Sequence, residues 1–176
     1  MAAGKFWNSP EIEPKRQHRW ALEITALGRS LVVYLTKTDK PSLEINETEH
    51  KYFGHSFFYP GHLTWQPITC TFVDPFGDQG TTGQLKRWLA RSGYAPPESG
   101  PQPQSISKRN ALGRGGNVVL TQYNTDDAGK PKPGEKWKLY NAWFQKINYG
   151  SLDYSSDAMV NVDVTIRYDY AVNTRA

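Results

Sequence analysis

The sequence predicts an all-β protein: an antiparallel sandwich or barrel of about seven strands with one short α-helix. The clearest observation is the strict alternation over residues 160–170, where Val, Ile and Tyr at even positions alternate with Asn, Asp, Thr and Arg. A period of two with β-branched and aromatic residues is typical of a half-buried strand. In addition, strand-like segments follow one another without intervening helices, which favours antiparallel sheets over a parallel α/β fold.

Six further segments have strand-like patterns, at residues 19–26, 31–37, 42–50, 63–73, 117–123 and 136–147. Pro67 predicts a bulge or an edge position within its strand, because proline cannot donate to a ladder. Residues 148–157 are rich in Gly, Ser, Asp and Asn and predict a loop that reverses the chain. Residues 95–116 predict a long loop and residues 124–135 a polar turn.

One helix is predicted to begin near Thr81. The spacing from Thr81 to Gln84 is that of a capping box, in which the threonine hydroxyl and the glutamine side chain satisfy free backbone N–H groups. Gly93 suits the left-handed position after the helix. Apolar residues recur at helical spacing, so this face should be buried. The predicted core comprises Trp20, Leu22, Ile24, Leu85, Trp88, Leu89, Val162, Val164 and Ile166.

Length and composition indicate a single domain. The chain has 176 residues and a mass of 20.0 kDa, and we expect a polar N-terminal arm at 1–16 followed by one β domain at 17–176. A single cysteine, Cys70, excludes an intrachain disulfide. The sequence has no apolar run long enough for a membrane span or a signal peptide, so we expect the protein to stay in the cell that makes it.

No motif in the sequence predicts catalysis. His50, His55 and His62 lack the spacing of a metal site, and the glycine-rich segment at 113–116 lacks the Lys-Ser/Thr of a phosphate loop. There is no G-x-S-x-G nucleophile motif. We therefore expect no enzyme activity, no cofactor and no metal, although a small hydrolase with a spatial triad stays an alternative.

The net charge of +4 is spread over basic segments at 15–19, 108–114 and 130–138. These segments are either solvated loops or part of a nucleic-acid surface. A monomeric β-barrel that holds single-stranded nucleic acid with Tyr and Trp is therefore one alternative function.

Residues 51–62 form an aromatic cluster in a segment rich in turn residues. Five rings lie within eight residues, around Gly54 and Pro60-Gly61. The rings either pack on the protein's own body or mark a partner site, because exposed rings are costly without a partner. We expect a subunit interface, formed by Tyr52, Phe53, Phe57, Phe58 and Tyr59.

The order of these motifs resembles that of the tail tube proteins of contractile-tailed phages. It runs through a Leu-Gly turn between strands, a long hairpin, the strand LTWQPITCTFVDP, a helix around QLKRWLARSG, a G-x-L-x-Y turn and an alternating strand ending in Tyr-Asp-Tyr. The resemblance covers roughly residues 17–171. It extends more distantly to the inner tube proteins of related injection machines.

This resemblance implies a structural virion protein without enzyme activity. Its subunits would join into hexameric rings that stack into the inner tube of a contractile tail. The implied partners are further copies of the chain, the sheath, tape measure and baseplate proteins, and double-stranded DNA that passes through the lumen. The implied location is the virion tail, assembled in the host cytoplasm. The Phe-rich segment, the long arm and the basic charge leave a baseplate tube-initiator protein of the same fold as an alternative.

A tube that conducts DNA should not have a strongly basic wall, because each phosphate neutralised by Lys or Arg strengthens binding. We therefore expect a polar row to line the lumen, formed by Glu44, Asn46 and Thr48. Thr64 and Gln66 are weaker members of the same set. The alternative is that this row faces bulk solvent.

Overall fold

The computed structural model describes residues 15–25, 34–77, 80–97, 105–112, 116–125 and 130–175. The predicted arm at 1–16 lies outside these residues apart from Lys15 and Arg16, as do much of the 95–116 loop and the start of the strand predicted at 31–37.

The predicted all-β class is confirmed, with ten strands and two helices in the described part of the chain. The strands are β1 (Trp20–Ile24), β2 (Leu35–Thr38), β3 (Ser42–Tyr52), β4 (His55–Gln66), β5 (Ile68–Val73), β6 (Val118–Thr125), β7 (Pro131–Tyr140), β8 (Trp143–Asn148), β9 (Asn161–Arg167) and β10 (Tyr170–Arg175). The helices are α1 (Thr81–Ser92) and α2 (Lys108–Leu112).

The strands form two four-stranded antiparallel sheets and a separate hairpin. Sheet 1 has the order β1-β6-β7-β10, and sheet 2 has the order β2-β5-β9-β8. Side chains of both sheets and of α1 belong to one hydrophobic core. The alternation that predicted β9 is confirmed, because Val162, Val164 and Ile166 are fully buried. Of the predicted core, only Trp20 and Leu89 are partly exposed.

The number of strands was underestimated because three predicted segments are divided. The segment at 136–147 belongs to β7 and β8, which are separated at Asn141, a residue with a positive φ of 55°. The segment at 160–170 is divided between β9 and β10. Pro67 interrupts the segment at 63–73, so that β4 belongs to the hairpin and β5 to sheet 2.

The predicted helix is confirmed, but the predicted capping box is wrong. Gly80 is the N-cap residue and no side chain caps the helix from that position. Instead, Asp74, the residue after β5, accepts hydrogen bonds from the Thr82 N–H at 3.0 Å and the Thr82 hydroxyl at 2.5 Å. The Thr81 hydroxyl donates to the Val73 carbonyl at 2.8 Å. Gly93 has the expected left-handed conformation, with a φ of 106°.

The segment predicted to be a turn-rich loop at 51–62 is instead the distal part of a β-hairpin. β3 and β4 pair from Ser42 and Gln66 to Tyr52 and His55, and Phe53-Gly54 forms the turn. The register shifts between Ile45 and Glu47. There, Asn46 on β3 lies opposite two residues of β4, so the extra residue of the bulge is in β4.

Candidate subunit interface

The hairpin formed by β3 and β4 stands clear of the two sheets. Every residue of β3 and the first nine residues of β4 are exposed, and these strands form a ladder only with each other. At ~3.3 Å per residue, β3 reaches about 36 Å. An isolated two-stranded hairpin is at best marginally stable in water. No other element in the described part of the chain covers the distal hairpin.

One face of the hairpin is apolar near its base. Cross-strand pairs place Leu43 opposite Trp65 and Ile45 opposite Leu63, and Phe58 lies further out on the same face. Trp65 packs against the core, with its ring centroid 6.1 Å from that of Tyr168. Leu43, Ile45, Leu63 and Phe58 continue this apolar surface outward and are 47–59% exposed.

The opposite face carries the polar row predicted from the sequence. Glu44, Asn46 and Thr48 alternate along β3 and are all exposed. The pairing adds Thr64 and Gln66 to this face, and the Gln66 amide donates to the Glu44 carboxylate at 2.7 Å. The five polar residues are thus brought together on one face, and their position in a lumen stays a prediction.

The aromatic cluster is divided between the two faces and the tip. Phe57 and Tyr59 lie opposite His50 and Thr48, on the face of the polar row, whereas Phe58 lies opposite Glu49 on the other face. Tyr52 is the last residue of β3, and its ring packs edge-on against that of Phe53 in the turn, with centroids 4.4 Å apart. The five residues therefore lie on three exposed surfaces. The faces that Phe57, Phe58 and Tyr59 occupy depend on the bulge in β4.

A second exposed apolar surface lies on the 149–160 loop between β8 and β9. Leu152 is 89% exposed and Met159 is 74% exposed, and Tyr154 is also fully outside the core. The loop and the start of β9 line a cleft of about 1030 Å³. Sequence analysis placed Leu152 and Tyr154 in a chain-reversing loop and in the G-x-L-x-Y turn, and it assigned no role to Met159. The signal that it missed is the presence of large apolar side chains in a polar segment.

Local hydrogen bonds form a turn in the middle of this loop. The Asp153 carboxylate accepts from the Ser155 N–H at 2.9 Å and the Ser155 hydroxyl at 2.8 Å. These bonds lower the pKa of Asp153. Gly150 has a φ of 86°, and a side chain there would meet the Asn161 carbonyl at 2.5 Å. These contacts are local, and the apolar side chains of the loop stay exposed.

A buried carboxylate links segments distant in sequence. Glu135 is 8% exposed and accepts hydrogen bonds from the Lys15 ammonium, from the Trp137 indole at 2.5 Å and from the Asn173 amide at 3.1 Å. The Lys40 ammonium lies 3.6 Å away. The bond from Lys15 is the main reason that the pKa of Glu135 falls from 4.5 to about 2. Because groups of the protein itself donate to its carboxylate, Glu135 has a structural role and joins these segments.

The described part of the chain holds no group of three or more His, Cys, Asp and Glu residues that could bind a metal ion. Cys70 is fully buried, and this burial raises the pKa of its thiol to about 12. Neither described helix is long and apolar enough to cross a membrane.

No protein-family model and no curated protein matches the sequence, but the fold matches solved structures of contractile injection systems. A chain of the anti-feeding prophage (AFP) tube terminating cap has a TM-score of 0.65 and 16% identity, with 100% of each chain covered. PVC is an extracellular contractile injection system. A chain of its sheath/tube terminator in the extended state has a TM-score of 0.62 and 16% identity, and the match covers 92% of this chain and 97% of that chain.

A chain of the AFP baseplate has a TM-score of 0.63 and 15% identity, and the match covers 93% of this chain and 97% of that chain. At such low identities these matches show the fold alone. The motif order indicated a resemblance to tube proteins. The matches to solved structures confirm this resemblance at the level of the fold.

Proposed function

We propose that this chain is a structural subunit of the inner tube of a contractile tail or injection system. The observation that carries the proposal is the match of the entire fold to an entire chain of a tube terminating cap. In this role the chain has no catalytic function, and copies join into hexameric rings that stack into a tube.

The hairpin gives a physical reason for assembly. Its exposed strand edges and apolar surface would favour uncontrolled association in a monomer. A closed ring covers such surfaces with neighbouring subunits and limits the association to a defined number of copies. This supports a ring-forming function over a monomeric nucleic-acid-binding module.

The proposed assembly contacts involve the five aromatic residues of the hairpin. Tyr and Phe supply large contact areas, and aromatic residues are enriched at interfaces. Because the five rings lie on different surfaces, they would serve more than one contact. The proposed set is Tyr52, Phe53, Phe57, Phe58 and Tyr59.

The proposed lumen surface is the face with Glu44, Asn46 and Thr48. All three side chains are acidic or neutral, and all are exposed. Such a wall suits a conduit for double-stranded DNA because it adds no phosphate-binding cations. We propose that the particle is a phage tail. The further proposed partners are its sheath, tape measure and baseplate proteins.

The decisive experiment is to measure the assembly state of the purified chain. We expect size-exclusion chromatography with light scattering to show species well above 20.0 kDa, and electron micrographs to show rings or tubes. A chain that stays monomeric at all concentrations and forms no rings would overturn the proposal. Tight binding of single-stranded nucleic acid by such a monomer would support the alternative module.

A baseplate tube-initiator protein is a second candidate, favoured by the match to the AFP baseplate chain. The two candidates differ in how far assembly proceeds. A tube subunit should extend into open-ended tubes of increasing length, whereas an initiator should stop at single or paired rings until a second protein is added.

A further inference from the structure

A cleft distinct from that of the 149–160 loop lies where β9 ends, beside α2. It has a volume of about 530 Å³, which is within the range of typical ligand pockets. Ile106, Ala111 and Trp143 provide its apolar lining. Ile106 is 50% exposed and Trp143 is partly buried, so both present apolar surface to solvent. The cleft therefore has an apolar floor that is open to a ligand.

Arg167, the last residue of β9, supplies a cation to this cleft. It lies directly opposite Trp143 of β8, so the two side chains are neighbours on one face of sheet 2. The Arg167 side chain is partly buried, yet it makes no hydrogen bond or ion pair with any residue that the structure describes. A guanidinium has five N–H donors and binds a carboxylate with two parallel hydrogen bonds. Arg167 therefore has the capacity to bind an anionic group in the cleft.

The other charged groups of the cleft are paired with each other. The Lys108 ammonium donates to both oxygens of the Asp169 carboxylate, at 2.8 and 2.9 Å, and the Asn141 amide donates to the same carboxylate at 2.8 Å. The bond from Lys108 is the main reason that the pKa of Asp169 is lowered, so this carboxylate stays ionised. Because the charges of Lys108 and Asp169 offset each other, Arg167 gives the cleft a net positive charge.

The segment that contains both helices adds positive charge around the cleft. Residues 80–112 contain five cations and one carboxylate, a balance that equals the net charge of +4 of the whole chain. Lys86, Arg87 and Arg109 are exposed cations of this segment. A local excess of one sign steers partners of the opposite sign and disfavours partners of the same sign.

Contacts within the chain hold the walls of the cleft in place. The indole N–H of Trp88 donates to the Ala111 carbonyl at 3.0 Å, which joins α2 to α1. The ion pair of Lys108 with Asp169 joins α2 to the turn between β9 and β10. A site that is ordered before binding loses less conformational entropy when a ligand arrives.

The lining suits an acidic peptide better than a nucleic acid. Single-stranded nucleic acid binds along positively charged grooves in which successive bases stack on aromatic rings. Among the described lining residues, Trp143 alone offers a ring to a ligand, because Tyr168 is only 3% exposed. An acidic peptide needs one cation for a carboxylate and an apolar surface for a neighbouring side chain. The cleft supplies both.

We propose that this cleft binds an acidic segment of a partner protein, with a carboxylate on Arg167 and an adjacent apolar side chain against Trp143 and Ile106. The inference goes beyond the proposed function, because it requires neither ring formation nor stacking.

Fluorescence anisotropy with labelled peptides tests the site on the full-length chain. The probe is a pool of short capped peptides composed of Glu, Asp, Leu and Phe, and the control pool contains Gln and Asn in place of the acidic residues. The acidic pool should bind at least about 10-fold more tightly than the control pool, because charged hydrogen-bond partners are the stronger ones. Equal binding of the two pools, or binding of neither, would overturn the inference.

A substitution of Arg167 tests whether the binding occurs in this cleft. Arg167→Gln should weaken binding of the acidic pool by about 10-fold to 100-fold, as expected when a charge-assisted hydrogen bond is lost. Lys146→Gln removes the same charge from an exposed position on β8 and is the matched control. It should change the affinity by less than about twofold, as is typical of an exposed charge. Equal losses for the two variants would contradict a site at Arg167.

Two further measurements keep this result separate from misfolding. The melting temperature of Arg167→Gln should equal that of wild type, because Arg167 makes no hydrogen bond with the described residues. Ile106→Ser leaves Arg167 in place and removes an exposed apolar side chain from the floor. It should also weaken binding of the acidic pool, and an unchanged affinity would contradict the role of the floor.

The outcomes distinguish this inference from the proposed function. If the chain forms rings or tubes but does not prefer the acidic pool, only this inference is overturned. If the chain stays monomeric and binds the acidic pool through Arg167, this inference is supported and the proposed function is overturned. If single-stranded poly-dT binds more tightly than the acidic pool and Arg167→Gln abolishes that binding, the cleft is a nucleic-acid site and the inference is wrong.

Discussion

Trp88 connects α1 to two neighbouring elements, β8 and α2. Its ring packs edge-on against Phe144 with centroids 4.6 Å apart, and its indole N–H donates to the Ala111 carbonyl at 3.0 Å. The side chain is 3% exposed. A single residue thus fixes α1 against β8 and against α2, a short helix within the 95–116 segment that was predicted to be a loop.

We expect Trp88→Ala to lower the free energy of unfolding by about 3–5 kcal/mol, because it opens a large cavity and leaves the Ala111 carbonyl without its donor. Trp88→Phe is the control, since it keeps a ring but removes the N–H, and it should cost about 1–2 kcal/mol. Urea denaturation followed by circular dichroism measures both. Equal losses for the two variants would show that packing is not the main contribution.

Glu135 makes stability depend on pH in the acidic range. Its folded-state pKa of about 2 lies below the ordinary value of 4.5, so its contribution is fully present above about pH 4.5 and is lost as the pH falls towards 2. Glu135→Gln should cost about 2 kcal/mol at neutral pH, where charge-assisted hydrogen bonds are lost.

The difference in unfolding free energy between wild type and Glu135→Gln should shrink as the pH is lowered from 4.5 to 2. Glu47→Gln, which removes an exposed carboxylate from the hairpin, is the matched control and should change stability little at any pH. A constant difference between wild type and Glu135→Gln across this range would contradict the role of the carboxylate.

These two residues show what the sequence could predict at this scale. Trp88 was placed in the core because helical spacing repeats every three or four residues and is visible within a short window. Glu135 was assigned to a polar turn, because its partner Lys15 is 120 positions away in the chain. Pairings over such distances depend on the fold and leave no periodic pattern.

At the scale of elements, the strands and α1 were largely predictable, and their ends were not. The threonines at the start of α1 suggested a local cap, but the Thr81 hydroxyl donates to the Val73 carbonyl and the Asp74 carboxylate accepts from the Thr82 N–H. The polar and aromatic residues at 51–62 suggested a loop because Gly and Pro usually mark turns. In the structure, Pro60 and Gly61 lie within β4, Gly61 in the bulge and Pro60 next to it, on an exposed strand where proline is tolerated.

The register of the hairpin indicates how to shorten it without strain. The two residues that flank a two-residue turn form a hydrogen-bonded pair, as Tyr52 and His55 do, and this type of pair alternates along the ladder. Thr48 and Tyr59 are the matching pair four positions back, so residues 49–58 can be replaced by Asn-Gly to close the hairpin. A cut at Tyr52 and Tyr59 would join residues that are not partners, because Tyr52 pairs with His55 and Tyr59 with Thr48.

We expect this shortened chain to fold and to lose the ability to form tubes. The removed residues are all exposed, so the melting temperature should change by only a few degrees, roughly as for a loss below 1 kcal/mol. Circular dichroism and electron microscopy measure the two properties. Normal tubes from the shortened chain would show that the distal hairpin is not an assembly surface.

At the scale of the whole molecule, the two faces of the hairpin follow from pairing and not from composition. Alternation along β3 predicted that Glu44, Asn46 and Thr48 share a face. The position of Phe57 and Tyr59 beyond them could not be predicted, because it depends on the bulge between Ile45 and Glu47. If the polar row lines a lumen, the distal rings on this face must lie at the rim or against a neighbouring subunit.

The final prediction concerns the charge of the proposed lumen. Glu44 is exposed and hydrogen-bonded to Gln66, and Lys at this position would reverse the charge at the same point in every subunit. Each Lys that contacts a phosphate releases counterions and so strengthens binding to DNA. Glu44→Lys should therefore retain DNA in the tube and slow its ejection while leaving assembly intact.

The matched control is Glu23→Lys, which makes the same charge change at an exposed position on β1, far from the hairpin in the pairing order of the sheets. Retention of duplex DNA by assembled particles, followed over a range of salt concentrations, should be stronger and more salt-dependent for Glu44→Lys than for Glu23→Lys, because only contacts with phosphate add counterion release. Retention no stronger than that of wild type for either variant would mean that neither position contacts the DNA. Glu44 would then lie on the outer wall, and the lumen would have to be formed by another face of the molecule.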